Sequence, residues 1–575
     1  MLNALSVFLS GGSTTGQARA ARSLERQGFA PAERFEWDGG ELTACSNPRQ
    51  LQTENCSYRS DREFACCVGP LWYRGQFGAR ALEALAKEVA ATGSVDESEL
   101  RGNFALFLKS GDHVWLLNDG LGFVRIHASA DGCFFSTSWL AACAYMDSVD
   151  IDEASAIEYV LLGAAHSNQS VVRGVSLLPL GTAHDLKPRS TWQRFPHGFG
   201  SGAPDFGSIN EAVETVADHL RKISVEVASA FPDRINAALS GGFDSRLIVA
   251  GLLDVGSRPH LFVYGSPGSA DVAVARVVAN AMGQALDVVD KSTIDRQFPA
   301  PDIEALEQSA LFFDGLPSDG IHDPGADRET RLQQNAGGSI ALNGGGGEIF
   351  RNFFHLPDRR FTAGEIVKVF YRGFSRGVFR RPRGLSDYQQ RLAASILQIL
   401  GLSTERNARL TRSQVELIYP LFRCHYWMSV NNSVSVRHGY YATPLVDPES
   451  IRLAQRVPLR WKNAGAFESR LMVALHEGIA ALPSGYGFRF TDGPDHKARL
   501  TEWLNCARPV RMRPSINAVR RHLHHVRVAP AHLQQYRRLL PGEWWIDPLL
   551  DPQRLTDAGA LGRALAVEVV LRRVL

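Results

Sequence analysis

Cysteine is too scarce in this chain for a disulfide framework. There are eight in 575 residues, and Cys45, Cys56, Cys66 and Cys67 group loosely at spacings that match none of the paired C-x₂₋₄-C zinc patterns. They read as structural thiols of a reducing compartment. Long apolar runs are missing too: no stretch reaches transmembrane length, and no basic segment followed by an apolar core opens the chain, so neither a membrane span nor a secretory signal is expected. A charge of one sign is also absent. With 62 Lys and Arg against 60 Asp and Glu, the net charge is +2, and composition gives no reason to expect nucleic acid or a membrane as partner. What remains is an ordinary globular composition, 45% apolar and 21% charged, long enough for two or three domains. The expected location is the cytoplasm.

What is present is an apolar run that breaks and resumes. Ile235-Asn236-Ala237-Ala238-Leu239 reads as a short buried strand, Ser240-Gly241-Gly242-Phe243-Asp244-Ser245 interrupts it, and Leu247, Ile248, Gly251 and Leu252 then fall on one face of a helix beginning near Asp244. A strand that turns directly into a helix aims free N–H groups and the positive end of the helix dipole at one point, where an anion is welcome. Gly241 and Gly242 let an oxyanion approach the backbone, and Ser240 and Ser245 add hydroxyl donors. Asp244 would repel a phosphate unless it held a Mg²⁺ that the phosphates share. The combination points to ATP. It is not the common P-loop, which needs Lys followed by Ser or Thr. A second Ser-Gly-Gly at Ser10-Gly11-Gly12-Ser13-Thr14 lacks the Asp and reads as a turn that opens no apolar helix.

The texture of the chain changes midway. Between 101 and 145, Phe104–Leu108, Val114–Leu117 and Cys133–Phe135 read as antiparallel strands divided by Gly111-Asp112 and Asp131-Gly132 turns, with helical patterns at about 80–91 and 153–163. A polar stretch from about 187 to 208 reads as a linker. From 209 onward, a helix over 211–229, a strand His260–Tyr264, a helix from Asp271 and a strand Leu286–Val289 imply a parallel sheet with helices on both faces, whose carboxyl ends bind ligands. Beyond about 355 the chain is mostly helical and Arg-rich. Arg508, Arg511, Arg513, Arg520, Arg521, Arg527, Arg537 and Arg538 read as a solvated or domain-facing surface. The expected class is α/β with an α+β N-terminal domain.

These residues carry a resemblance. The Ser240–Ser245 loop resembles the pyrophosphate loop of the asparagine synthetase superfamily, usually Ser-Gly-Gly-Leu-Asp-Ser, whose members cleave ATP between its α and β phosphates. Arg101-Gly102-Asn103-Phe104 through Asn118-Asp119-Gly120-Leu121-Gly122, with Ser136-Thr137-Ser138, resembles the second half of a class II glutamine amidotransferase domain, and 172–181 looks like its closing segment. Leu342-Asn343-Gly344-Gly345-Gly346-Gly347-Glu348-Ile349-Phe350 resembles the second loop of asparagine synthetases, Ser-Gly-Glu-Gly-Ser-Asp-Glu-Leu-Phe, and Tyr441–Asp447 their Val-Arg-Val-Pro-Phe-Leu-Asp segment. Lys462 precedes a helix as in the family.

The resemblance implies an amidotransferase-like antiparallel domain over 1–186, then an adenine-nucleotide α hydrolase-like parallel-sheet synthetase domain over 209–575 with a helical C-terminal part. It implies ATP and Mg²⁺ as cofactors. Nucleotide contacts would come from Leu239, Ser240, Gly241, Gly242, Asp244, Ser245, Val263, Gly345 and Gly346, the metal would fall to Asp244 and Glu348, and Glu348 and Lys462 would be catalytic. The substrates would be a small-molecule or peptide carboxylate and an amine or ammonia. A biosynthetic partner protein is compatible with that chemistry; nucleic acid and membrane are not expected partners.

Three departures qualify the expectation. Class II glutaminases use an N-terminal cysteine whose own α-amine is the base; residue 2 here is Leu2, and the nearest match to the family's glutamine-handling segment is Gly39-Gly40-Glu41-Leu42-Thr43. The chain is therefore expected not to hydrolyse glutamine. In the second loop, aligned from Phe350, the family's metal-binding Asp falls on Gly347 and its variable nucleophile-facing position on Gly344, which leaves Glu348 to take over the metal. The Lys that the family sets beside the α-phosphate has candidates in Lys462 and Lys497, with Arg470 and Arg489 as alternatives.

Overall fold

The computed structural model describes residues 1–48, 56–194, 205–290, 302–322, 326–372, 374, 376–405, 408–513, 530–555 and 558–575. Antiparallel pairing fills the first third of the chain. Ala4–Leu9 lies between Phe134–Ser136 and Gly40–Ser46 in one six-stranded sheet, and Ala105–Ser110 lies between His113–Asn118 and Phe64–Val68 in a second. Alternating side chains of the two sheets meet in one core of Leu5, Val7, Leu42, Phe64, Phe107 and Leu116, all buried. Helix Ala79–Thr92 presents Leu82, Leu85 and Val89 to the other face of the second sheet. Helices Thr14–Arg26 and Trp139–Tyr145 pack together beside the first. The result is helix, sheet, sheet, helix.

The strands expected between 101 and 145 are present within two residues, as Ala105–Ser110, His113–Asn118 and Phe134–Ser136. One expectation is corrected. The Ser10-Gly11-Gly12 turn does open a helix, because the Ser13 hydroxyl accepts from the Gly16 N–H at 3.0 Å and caps Thr14–Arg26. Its apolar stripe is only Ala20 and Leu24 among arginines, too thin for periodicity to show. The antiparallel part runs on to Ser190–Gln193, which pairs with Thr182–Asp185; residues 195–204 of the expected linker, and Arg520, Arg521 and Arg527 of the basic cluster, lie outside the described residues. Of that cluster, Arg513 is buried and donates to the carbonyls of His355 and Asn505, both at 2.7 Å.

The second part is built on a parallel sheet. Its order across the sheet is Leu286–Val289, His260–Tyr264, Ile235–Ala238, Ile340–Leu342 and Tyr440–Ala442. Chain order therefore runs outward from Ile235–Ala238 in both directions, and the reversal falls between that strand and Ile340–Leu342. Such a switch point opens a crevice at the carboxyl ends of the two strands. Helix Phe243–Asp254 departs from the amphipathic expectation: Ser245 through Leu252 are all buried, because Ile209–Ala230 and Ala466–Leu475 both pack against it. Even Arg246 is fully enclosed, its guanidinium donating to the Pro483 carbonyl at 2.8 Å and lying over the Phe490 ring.

The two parts share their interior. One continuous apolar core joins Trp72, Leu106 and Phe123 of the antiparallel half to Val216, Leu220 and Tyr440 of the other. Polar contacts follow the same seam: Arg101 pairs with Glu226 at 2.9 Å, Asn103 Oδ1 accepts the Thr443 N–H at 2.6 Å, and the Arg125 N–H reaches Ser433 Oγ at 2.9 Å. Among the described residues no helix is long and apolar enough to cross a membrane.

Candidate functional site

The two loops that leave the switch-point strands face each other. Ser240–Gly242 follows Ile235–Ala238, and Asn343–Gly346 follows Ile340–Leu342. The first loop is held by its own hydroxyls, since Ser245 Oγ accepts the Ser240 N–H at 2.9 Å and Ser240 Oγ accepts the Gly242 N–H at 3.2 Å. Asp271 Oδ1 accepts the Gly241 N–H at 3.0 Å. From above, Gly485 donates its N–H to the Gly241 carbonyl at 2.9 Å, and the Tyr486 ring packs on Phe243 with centroids 4.5 Å apart. Space at 241 is tight: a Cβ there would come within 2.9 Å of Asp271 Oδ1 and 3.2 Å of the Gly485 backbone. The loop is thus covered by a strap of Ser484 to Tyr486, which no local pattern of residues marks in advance.

The second loop presses onto the first. A Cβ at Gly344 would sit 2.8 Å from Ser245 Cα, and one at Gly347 would sit 2.4 Å from Asp244 Oδ1. Gly346, at φ +103°, turns the backbone so that its N–H bonds Glu348 Oε2 at 3.0 Å. An aspartate at 347, as in the resembled family, would collide with Asp244 in this arrangement.

Asp244 and Glu348 are brought together, and Arg351 is the group between them. Its Nη1 donates to Asp244 Oδ1 at 3.1 Å and its Nη2 to Oδ2 at 3.0 Å, the planar fork of a bidentate pair. The same Nη2 lies 3.3 Å from Glu348 Oε1, and Nη1 lies 3.4 Å from Oε1 of Glu468. Glu348 Oε2 accepts from the Tyr419 hydroxyl as well as from Gly346. Tyr419 stands in Ile418–Met428, where the helix widens to π geometry, a local form common at functional positions.

Burial sets the protonation of this cluster. It pushes the Asp244 carboxyl up to about 6, with Arg351 drawing it down and Glu348 driving it up. It holds the fully buried Glu468 well above the usual carboxylate range, with Arg351 drawing it down and Asp244 and Glu348 driving it up.

The other expected residues sit as follows. Leu239 and Val263 are buried at the ends of adjacent strands, the Leu239 N–H bonding the Phe262 carbonyl at 2.8 Å. The Gly345 N–H is held by Asn343 Oδ1 at 3.0 Å. Lys462 is buried, and its Nζ pairs with Glu416 at 2.7 Å; no contact joins it to Asp244 or Glu348. Lys497, Arg470 and Arg489 are exposed. Asp447 caps helix Pro448–Gln455 through the Ser450 N–H at 2.6 Å. Sequence reasoning missed Arg351, Glu468, Tyr419 and Asp271. A divalent ion between Asp244 and Glu348 would press against Arg351, which already engages both carboxylates. As they stand, the side chains do not fit a protein-held Mg²⁺.

Against known proteins, the chain defines a class only by its own architecture, an antiparallel four-layer half joined to a parallel five-stranded sheet. Neither a protein-family model nor a curated protein matches it. Among solved structures it is similar to the glutamine phosphoribosylpyrophosphate amidotransferase from B. subtilis complexed with ADP and GMP, at 10% identity over 53% of this chain and 70% of that one, with a TM-score of 0.22. A structure of the allosteric regulatory enzyme of purine biosynthesis matches at 9% identity over 50% of this chain and 80% of that one, also at 0.22.

Proposed function

We propose that this protein is an ATP-dependent, amide-forming ligase of the asparagine synthetase type. A substrate carboxylate oxygen attacks the α-phosphorus of ATP, the bond to the bridging oxygen breaks, and pyrophosphate leaves. The nitrogen of an amine or ammonia then attacks the acyl carbon, loses a proton and expels AMP. Mg²⁺ arriving on the nucleotide would neutralise charge on the departing pyrophosphate. The chain's own part is to receive that pyrophosphate on Ser240, Gly241, Gly242 and Ser245, and to hold the acidic cluster of Asp244 beside it.

The observation that carries the reading is one of position. The Ser-Gly-Gly-x-Asp-Ser loop leaves the central strand at the reversal of strand order, opposite the glycine-rich loop of the neighbouring strand. Lactam- or macrolactam-forming cyclisation, which takes an amine directly, is one form of this chemistry; amidation of a small acid or sugar acid is the alternative. A second reading, a non-catalytic nucleotide-binding scaffold, is favoured by the strap that caps the loop. Incubation of the purified protein with ATP, Mg²⁺, and panels of carboxylates and amines decides between them. The ligase should release AMP and pyrophosphate, and Asp244→Ala should abolish this with folding retained. ADP and phosphate as products would refute the proposal, and no turnover with tight nucleotide binding would favour the scaffold.

A further inference from the structure

We infer that Arg351 is the resident cation of this site: its guanidinium fills the place between Asp244 and Glu348 that a protein-bound divalent ion would need, and it meets the charge of a phosphate arriving at the Ser240–Ser245 loop. The inference rests on the nucleotide-binding reading above and goes beyond it by assigning the charge to a side chain.

Oxygen by oxygen, the pair is already engaged. Both oxygens of Asp244 accept from Arg351 at 3.0 and 3.1 Å. Glu348 turns one oxygen to the same guanidinium at 3.3 Å and gives the other to Tyr419 and the Gly346 N–H. Glu468 closes the far side at 3.4 Å. On the Gly347 side even a Cβ would lie 2.4 Å from Oδ1, while the Asp244 side chain keeps 17% of its surface exposed. A metal ligand at 347 and the bidentate Asp244–Arg351 pair exclude each other sterically.

The substitution makes chemical sense. A guanidinium is charged at every working pH and offers five donors in a rigid fork suited to both carboxylate and phosphate. The Arg351 side chain is 22% exposed, so its charge is not sealed off from the crevice. Being covalently part of the chain, it gives the loop a positive charge that does not depend on free Mg²⁺.

Two probes test this on the full-length protein. Mn²⁺ alone, followed by electron paramagnetic resonance, should bind wild type no differently from Asp244→Asn, whereas Arg351→Gln should gain a Mn²⁺ site at least about tenfold tighter that Asp244→Asn removes. Inorganic pyrophosphate in EDTA, followed by calorimetry, should bind wild type, lose about tenfold to a hundredfold in affinity with Arg351→Gln, and recover in part with Arg351→Lys. An Asp244-dependent Mn²⁺ site in wild type would overturn the inference without any variant at 351. Wild-type protein that binds pyrophosphate only with Mg²⁺ would overturn it while leaving the nucleotide reading intact. Protein that binds no pyrophosphate with or without Mg²⁺ would remove the nucleotide reading and with it the phosphate role, and the Mn²⁺ titration would then decide by itself whether Arg351 closes the pair.

Discussion

Glu468→Gln should make the folded protein less sensitive to rising pH, and the structure sets the size of the effect. Glu468 is fully buried, and burial holds its carboxyl well above the usual range, so it stays protonated above the pH at which an exposed carboxyl ionises. In the unfolded chain the same carboxyl loses its proton near pH 4.5. Above that pH the folded state binds one proton more than the unfolded state, so stability falls as pH rises, by about 1.4 kcal/mol for each unit over which the proton is retained. Asp244, raised to about 6, adds a second fall that is complete once pH passes that value. A carboxamide at 468 keeps the shape, can donate to Asp244 and accept from Arg351, and binds no titrating proton. Over the pH range in which wild-type Glu468 keeps its proton, the variant should therefore gain on wild type by about 1.4 kcal/mol per unit, or roughly 1 °C per unit in melting temperature for a chain of this length unfolding as one unit. Calorimetry at pH 5, 6, 7 and 8 reads this directly. Parallel melting curves for the two proteins across that range would mean that Glu468 is ionised in the fold, and the account of the cluster would be wrong.

Two further outcomes follow from single contacts. Lys462→Met removes the partner of Glu416 and leaves that carboxylate with Arg412 at 3.6 Å; breaking such an ion pair on one side should cost about 3–5 kcal/mol and lower the melting temperature, whereas loss of AMP formation at an unchanged melting temperature would assign the ammonium to the chemistry. Asp271→Asn keeps an acceptor for the Gly241 N–H but removes a negative charge from the mouth of the loop, so pyrophosphate affinity measured by calorimetry should rise roughly threefold to tenfold; an unchanged affinity would show that Asp271 does not compete with phosphate.

What could be read in the sequence was what local chemistry writes locally. Ser240, Gly241, Gly242 and Ser245 are legible because an apolar strand, two glycines and a helix start are contiguous, and the strands His260–Tyr264 and Leu286–Val289 were found at their observed bounds. Tyr440–Ala442 was not legible as a strand, since three residues carry no period and its pairing with Ile340–Leu342 is made at a distance of 100 positions. Arg351 was missed for the same reason. Its nearer partner Glu348 is three positions away, but Asp244 and Glu468 are 107 and 117 positions away, and an arginine after Phe350 looks like any surface arginine until the chain is folded. Helix Phe243–Asp254 misled in the opposite sense, because a helix enclosed by two others needs no polar face.

The shared interior of the two halves bears on how this chain could be taken apart. The last strand of the parallel sheet, Tyr440–Ala442, has its Tyr440 hydroxyl against Cys56 at 3.2 Å and its ring against Phe77, and the residue that follows it hangs from Asn103. Excising the antiparallel half would leave this edge strand with an apolar flank in water and an unpaired amide at Thr443, next to the loop that packs on Ser245. The antiparallel half therefore serves as a splint for the sheet that carries the crevice. Selection on the crevice alone would retain it, whatever chemistry its own sheets perform.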